Sequence, residues 1–219
     1  MPFAIHFRQP IHYTRVVLWL TAAVVGVLAV RDLVLDNHLF HFLLWNLFLG
    51  FLPLAIAYGL HRYYARLPRW ALWLGGVVWL LFYPNAPYMI SDLMHNQMDP
   101  DAILYDTLIL FGFAMLSLFY GFLSLKLMFR VFVQMRGRHV ANTALVLSLL
   151  LSSLGFYMGR VIRFNSWDIF TKPLAVLRGT LADLFPVSAH LDAYAVMLLF
   201  GGLQYLLLVM MRDVGSVRT

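Results

Sequence analysis

One stretch of the chain breaks an otherwise apolar pattern: residues 83–95, with the sequence YPNAPYMISDLMH. The apolar run before it, Trp70 to Phe82, reaches only roughly 20 Å as a helix, against a hydrocarbon core of about 30 Å. A membrane span must therefore continue through Pro84 and Pro87, each of which removes a backbone donor. Non-helical backbone at membrane depth requires burial by protein or contact with water. The stretch predicts a broken helix beside a polar cavity, with Asn85 in non-helical backbone and its amide bonded to groups that the prolines leave unpaired.

Composition assigns the chain to the membrane class. Hydrophobic residues make up 62% of the sequence, charged residues only 12%, and the mean hydropathy is +0.79, values that exclude an ordinary soluble domain. With the broken segment, six transmembrane helices are predicted, in an all-α polytopic bundle that forms one domain over residues 1–219. The five other apolar segments are Val16 to Val30, Leu39 to Leu60, Ile103 to Leu125, Val140 to Tyr157 and Leu191 to Met211.

Charge orients these helices. Nearly all of the ten acidic residues fall on one predicted side of the membrane, and most of the 16 basic residues fall on the other. The positive-inside rule places the basic side and both termini in the cytoplasm. The net charge of +6 is therefore a topology signal, and we expect no nucleic-acid partner. The basic side carries Arg8, Arg15, Arg62, Arg66, Arg69, Lys126, Arg130, Arg136, Arg138, Arg212 and Arg218.

The outward side carries a first polar group within the proline-containing stretch. Tyr88, Asp92 and His95 are spaced i, i+4, i+7, so a short helix after Pro87 puts them on one face. A carboxylate one turn from an imidazole can orient its tautomer or tune its proton affinity. Asp92 and His95 are therefore the catalytic candidates. The alternative is that Asp92 caps or pairs locally and His95 is an interfacial histidine.

A second polar group is residues 159–168, GRVIRFNSWD, at the outer end of the fifth predicted helix. Arg160 and Arg163 lie three residues apart, hence on one helical face, and both break the positive-inside pattern. Their planar guanidinium groups suit a phosphate or carboxylate from a lipid headgroup or a substrate. The alternative is structural: the two arginines pair with Asp92 and Asp168 and lock the outer loops together.

An amphipathic segment follows the second group. Apolar residues recur at alternating intervals of three and four, which predicts a helix of roughly 13 residues lying in the outer interface. Pro173 is acceptable in its first turn, after Thr171. The helix either roofs the polar cavity or seals a loop to the bilayer. Its apolar stripe consists of Trp167, Phe170, Leu174, Leu177, Leu181 and Leu184.

Small and polar residues inside the apolar spans predict helix packing. Gly155 and Gly159 form a small-xxx-small pattern that permits close approach of another segment. Isolated polar residues in such spans usually form hydrogen bonds between helices. We expect this role for Asn46, Asn142, Ser152, Ser153 and Gln204.

Both polar motifs carry a resemblance. YPNAPYMISDL at residues 83–93 and GRVIRFNSWD at residues 159–168 resemble a bacterial family of multi-pass membrane proteins known only as domain of unknown function 1361. The resemblance covers most of the chain and implies a polytopic inner (plasma) membrane protein, with no activity attached. The matching signature residues are Asn85, Pro87, Tyr88, Asp92, Arg160, Arg163, Asn165, Trp167 and Asp168.

Two classes of function follow from these residues. In the first, both motifs converge on one outward-facing cleft that binds an anionic headgroup or amphiphilic substrate, and Asp92 or His95 transfers a proton to or from a lipid or lipid-linked substrate. In the second, the chain is a non-enzymatic scaffold for lipid or a partner protein. A small-solute transporter also fits a broken helix, but the inner halves of the helices contain almost no ionisable residue. The substrate-binding candidates are Asn85, Tyr88, Arg160, Arg163, Asn165, Trp167 and Asp168.

No cofactor is expected, and membrane lipid is the predicted partner. Oxygen and nitrogen ligands from Asp92, His95 and Asp168 would suit Zn²⁺ or Mn²⁺. Because this group contains a single histidine, we expect no metal there.

Overall fold

The computed structural model describes residues 11–36, 38–94, 102–164, 168–187 and 190–214. All secondary structure assigned within these ranges is helical, which confirms the all-α class. A 3₁₀ helix covers Met89–Met94 and a π-helical turn covers Met158–Ile162. The α-helices are α1 (Ile11–Leu35), α2 (Phe42–Arg62), α3 (Arg69–Phe82), α4 (Asn85–Tyr88), α5 (Ile103–Arg136), α6 (Arg138–Tyr157), α7 (Asp168–Thr171), α8 (Pro173–Leu184) and α9 (Leu191–Val214).

Four helices, α1, α2, α5 and α6, are long and apolar enough to cross a membrane by length and composition. Shorter apolar helical stretches lie at Pro173–Ala182 and Ala193–Leu206. Helix α3 has 14 residues and is too short to span alone, because a span needs about 20. The fold is therefore that of a helical membrane protein, and the count of six spans stays a prediction.

Helix α5 is the centre of the bundle. It has 34 residues and packs against α1, α2, α6 and the 3₁₀ helix. One apolar cluster joins α1, α2 and α5 around Phe40 and Phe113, and a second joins α2, α3, α5 and α6 around Trp79 and Met128. Helix α9 packs against α6. The two apolar clusters therefore join α1, α2, α3, α5 and α6 into one bundle.

The assigned helix is interrupted by a turn at Tyr83 and Pro84, although both residues keep right-handed helical backbone angles. Because Pro87 has no N–H group, the Tyr83 carbonyl accepts instead from Ala86, three residues on, at 3.1 Å. This leaves the Phe82 carbonyl without its usual donor, and the Asn85 side-chain Nδ2 donates to it at 2.9 Å. The Asn85 amide thus plays the predicted part. The prediction of non-helical backbone at Asn85 was wrong, since this residue begins the single turn of α4.

Protein surrounds this stretch. Tyr83, Ala86 and Met89 are each at most 1% exposed. The Ala86 carbonyl accepts a hydrogen bond of 2.9 Å from Ser117 Oγ on α5, and a Cβ atom at Gly121 would lie 3.0 Å from Ala86 Cβ. The backbone around Ala86 is therefore buried against α5.

A buried ion pair fixes one end of the bundle. Arg31 Nε donates to Asp106 Oδ1 at 2.8 Å and Arg31 Nη2 donates to Asp106 Oδ2 at 3.3 Å, with both side chains almost fully buried. The pair holds the last turn of α1 against the first turn of α5. We call this end the cavity end. It contains the C-termini of α1, α3 and α6 and the N-termini of α2 and α5.

Candidate functional site

The two sequence motifs meet at a partly open cavity of about 260 Å³ at the cavity end. One wall comes from α2, one from residues 81–92, and the opposite wall from residues 155–164 and α8. The cavity is therefore built from segments that are far apart in sequence. Its lining consists of Trp45, Asn46, Leu49, Leu81, Pro84, Asn85, Tyr88, Asp92, Gly155, Met158, Gly159, Phe164 and Val176.

Two glycines bring the walls together. A Cβ atom at Gly155 would stand 2.8 Å from side-chain atoms of Pro84, and one at Gly159 would stand 2.9 Å from the Tyr88 ring. Real Cβ atoms do not approach so closely, so larger residues would force the walls apart. The small-xxx-small pattern at the end of α6 and in the π-helical turn therefore packs against the proline-containing stretch.

Asp92 supplies the carboxylate of the cavity. It is 6% exposed, and the Asn46 side-chain Nδ2 donates to its Oδ2 at 3.0 Å. The helix after Tyr88 is 3₁₀ rather than the α-helix expected after Pro87, so the α-helical spacing that predicted one shared face does not apply. Both nevertheless line the cavity. A carboxylate beside an amide and a phenol can accept hydrogen bonds from hydroxyl groups of a ligand.

Arg163 stands where the second motif leaves its helix. Residues Met158–Ile162 form a π-helical turn, and the Phe164 N–H closes it by donating to the Met158 carbonyl at 3.1 Å. Arg163 has a left-handed backbone with φ of 67°, and its side chain is exposed. The backbone here is π-helical and then left-handed, so the α-helical spacing that predicted one shared face for Arg160 and Arg163 does not apply.

Among the described residues Arg163 forms no ion pair, either with Asp168 or with another carboxylate. Asp168 itself is 9% exposed at the first position of α7. The neighbour of Arg163, Phe164, lines the cavity. Arg163 is therefore an exposed residue that precedes a cavity-lining residue along the chain.

Helix α8 covers the cavity with one face. Val176 lines it, a Cβ atom at Gly179 would lie 2.9 Å from the Phe164 ring, and Thr180 Oγ1 approaches Met158 Sδ at 3.5 Å. The leucines of the predicted apolar stripe, Leu174, Leu177 and Leu181, are exposed on another face. The same helix therefore roofs the cavity and presents an apolar surface outward.

The predicted site residues fall into three groups. Asn85, Tyr88 and Asp92 line the cavity, whereas Arg163 and Asp168 do not. The others, His95, Asn165, Trp167 and the side chain of Arg160, lie outside the described residues. Sequence reasoning did not assign Trp45, Met158 or Val176 to the site. Asn46 was expected only to join helices, and its isolation in the apolar α2 was the signal that it needs a polar partner.

A buried polar network lies next to the cavity wall. Tyr83 OH donates to Gln204 Oε1 at 3.3 Å, and Ser152 Oγ donates to the same oxygen at 3.4 Å. Gln204 Nε2 has no hydrogen-bond partner within the described part of the chain. Ser153 bonds the Leu149 carbonyl of its own helix at 2.9 Å. Gln204 therefore joins α9 to α6 and to the residue that ends α3.

Comparison with known proteins identifies one family. Neither the curated proteins nor the solved structures gave a match. Residues 45–207, more than half of the chain, match the family described as a protein of unknown function, DUF1361. The matched range contains both motifs and every residue that lines the cavity. The resemblance noted from the motifs is thus confirmed, and the chain belongs to the DUF1361 family.

Proposed function

We propose that the chain is a six-span protein of the bacterial inner membrane, folded as one domain, with the cavity end outward and both termini cytoplasmic. Charge supports this orientation. The cavity end carries Asp32, Asp36, Asp92, Asp106 and Asp168, and the opposite helix ends carry basic residues. Those basic residues are Arg62, Arg66, Arg69, Arg130, Arg136 and Arg138.

The cavity is proposed to bind the headgroup of an anionic amphiphile. The observation that carries this proposal is its mixed lining: a carboxylate, two amides and a phenol on one part, and Leu49, Leu81, Phe164 and Val176 on another. Its volume of about 260 Å³ is below the roughly 300–1,000 Å³ of sites that hold drug-sized ligands. A headgroup fits this space while the acyl chains stay in the bilayer.

Arg163 is proposed to hold the phosphate of that headgroup at the cavity mouth. A non-glycine residue in left-handed backbone costs about 1–2 kcal/mol. Among the described residues no ion pair at Arg163 offsets that cost, which favours a ligand role over a structural one. The planar guanidinium suits bidentate contact with phosphate oxygens. Arg160, Asn165, Trp167 and Asp168 are proposed to complete the anion site.

Asp92 is proposed as the proton acceptor for a hydroxyl or water at the headgroup, with His95 as its partner. Its burial beside Asn46 holds the carboxylate in a fixed position inside the cavity. The reaction would act on a lipid or lipid-linked substrate. Non-enzymatic lipid binding is the second candidate, and the Asn46 to Asp92 hydrogen bond favours it, because the same contact ties α2 to the 3₁₀ helix without any chemistry.

Native mass spectrometry of the full chain from nanodiscs tests the binding step. The discs contain phosphatidylglycerol and phosphatidylcholine in equal amounts. We expect wild type to retain phosphatidylglycerol preferentially, Arg163→Ala to lose this preference, and Arg178→Ala to keep it. Arg178 is the matched control, since it is an exposed arginine on α8 that does not line the cavity. Equal retention by all three proteins would overturn the assignment of Arg163.

A second measurement separates chemistry from binding. Wild type and Asp92→Asn are incubated with lipid extract, and the lipids are analysed for converted species. If wild type converts a lipid and folded Asp92→Asn does not, the result supports enzymatic activity. If both proteins retain the lipid and neither converts it, the result supports non-enzymatic lipid binding.

A further inference from the structure

A second group of candidate ligands lies away from the cavity, where α1 passes into α2. Asp32 belongs to the last turn of α1, and His38 and His41 belong to the connection before α2. His41 Nε2 lies 2.8 Å from Asp32 Oδ2, and His38 Nδ1 lies 3.8 Å from the same oxygen. The two imidazole rings are stacked with centroids 4.5 Å apart. None of these three side chains lines the proposed headgroup cavity.

Their spacing matches that of metal ligands. One donor atom from each residue lies within 4.8 Å of the other two. Donors around a tetrahedral Zn²⁺ with bonds of about 2.0–2.1 Å are separated by about 3.3 Å. The two observed separations, 2.8 Å and 3.8 Å, lie on either side of that value.

Charge at this position favours a cation. Arg31 lies between two carboxylates, bonding Asp106 at 2.8 Å and approaching Asp32 Oδ1 with its Nη1 at 3.7 Å. One guanidinium for two carboxylates leaves a net negative charge when the histidines are neutral. Asp32 Oδ1 is buried and has no hydrogen-bond partner among the described residues. A cation on the other oxygen, Oδ2, would balance this charge.

The connection is also held in place before any metal binds. Phe40 is fully buried, and the Arg31 guanidinium lies 4.6 Å from its ring centroid. Arg31 thus contacts Asp32 and supports the segment that carries both histidines. In metal sites, residues that contact the ligands orient them in the same way. His38 and His41 remain exposed, with 69% and 52% of their side chains accessible.

We propose that Asp32, His38 and His41 bind one divalent transition metal ion of the zinc class. Two imidazoles and one carboxylate suit Zn²⁺ better than Mg²⁺ or Ca²⁺, which prefer all-oxygen sites. Three protein ligands leave a coordination position open to solvent, so the ion is exchangeable and can accept a further ligand. The site precedes residues 45–207, the range that matches the family, and is independent of the proposed headgroup cavity.

The test uses the full chain, purified in detergent with a tag that contains no histidine. Zn²⁺ binding is measured by calorimetry, and Co²⁺ is added separately to read the coordination geometry from its visible absorption. We expect one ion per chain. His38→Ala and His41→Ala should each weaken Zn²⁺ binding by about tenfold or more and reduce the Co²⁺ signal.

His139→Ala is the matched control, because His139 is an exposed histidine in the first turn of α6, at the opposite end of the bundle. It should bind Zn²⁺ as wild type does. Size-exclusion profiles and thermal unfolding verify that each variant is folded. Asp32→Asn is a further test, because it removes the carboxylate ligand and keeps the shape of the side chain. Folded wild type that takes up no Zn²⁺ would show that Asp32 and His41 form only a hydrogen bond. Unchanged binding in the histidine variants would equally overturn the site.

Discussion

Gly155 lies so close to Pro84 that a Cβ atom on the glycine would stand 2.8 Å from the proline Cβ and Cγ atoms. The contact joins the proline-containing stretch to α6, some seventy residues later in sequence. A proline ring cannot rotate out of the way as a long side chain can. The absence of a side chain at Gly155 is therefore a requirement for the cavity and not only for helix packing.

Gly155→Ala should destabilise the protein by about 1–3 kcal/mol, because the added methyl group overpacks the contact with Pro84. Thermal unfolding in detergent measures the effect. Gly59→Ala is the control, since a Cβ atom at Gly59 would meet nothing within 4 Å in α2 and alanine favours a helix. A stability of Gly155→Ala equal to that of the control would mean that the two walls are not in contact.

Arg163→Gly separates a ligand role from a structural one. Glycine accepts left-handed backbone without strain, but it also gains freedom in the unfolded chain, so the net change in stability should be within about 1 kcal/mol. Retention of phosphatidylglycerol should nevertheless be lost. A stability loss of about 3–5 kcal/mol, typical of breaking a buried ion pair, would instead assign Arg163 a structural partner.

Asp106→Ala should cost about 3–5 kcal/mol, because it leaves the buried Arg31 guanidinium without its closest carboxylate. The double variant Arg31→Met/Asp106→Leu should lose less, since it removes both charges. Thermal unfolding of the single and double variants gives the comparison. Asp36→Asn serves as the control for an exposed aspartate at the same end of the bundle. A double variant less stable than Asp106→Ala would contradict the prediction.

Tyr83→Phe should lower stability by about 0.6–1.7 kcal/mol, the range measured for hydrogen bonds between membrane helices. The lost bond is that from Tyr83 OH to Gln204 Oε1. Tyr58→Phe is the control, because Tyr58 is exposed on α2. Combining Tyr83→Phe with Gln204→Leu tests the pairing directly: simple additivity of the two single changes would show that the residues do not interact.

The helical class and the change in hydrogen bonding at the prolines could be predicted from the sequence, because they depend on composition and on neighbouring residues. Apolar runs predict membrane helices whatever they pack against, and this prediction was confirmed for α1, α2, α5 and α6. The prolines at 84 and 87 predict a change in hydrogen bonding wherever they stand, and the Asn85 amide does bond the Phe82 carbonyl. The extra turn of helix at α4 was not predictable, since a shift of the Ala86 N–H to the Tyr83 carbonyl preserves helical backbone around a proline.

Contacts between distant residues were decided by the tertiary structure. The sequence by itself determined a helical membrane protein, a change in backbone hydrogen bonding after Phe82 and two polar motifs, because each of these is set by neighbouring residues along the chain. Only packing brought Asn46 to Asp92, Arg31 to Asp106, and Asp32 to His38 and His41. A buried polar group needs a hydrogen-bond partner, but the amino-acid sequence does not say which residue that is. The partner depends on which helix lies within hydrogen-bonding distance in the folded bundle.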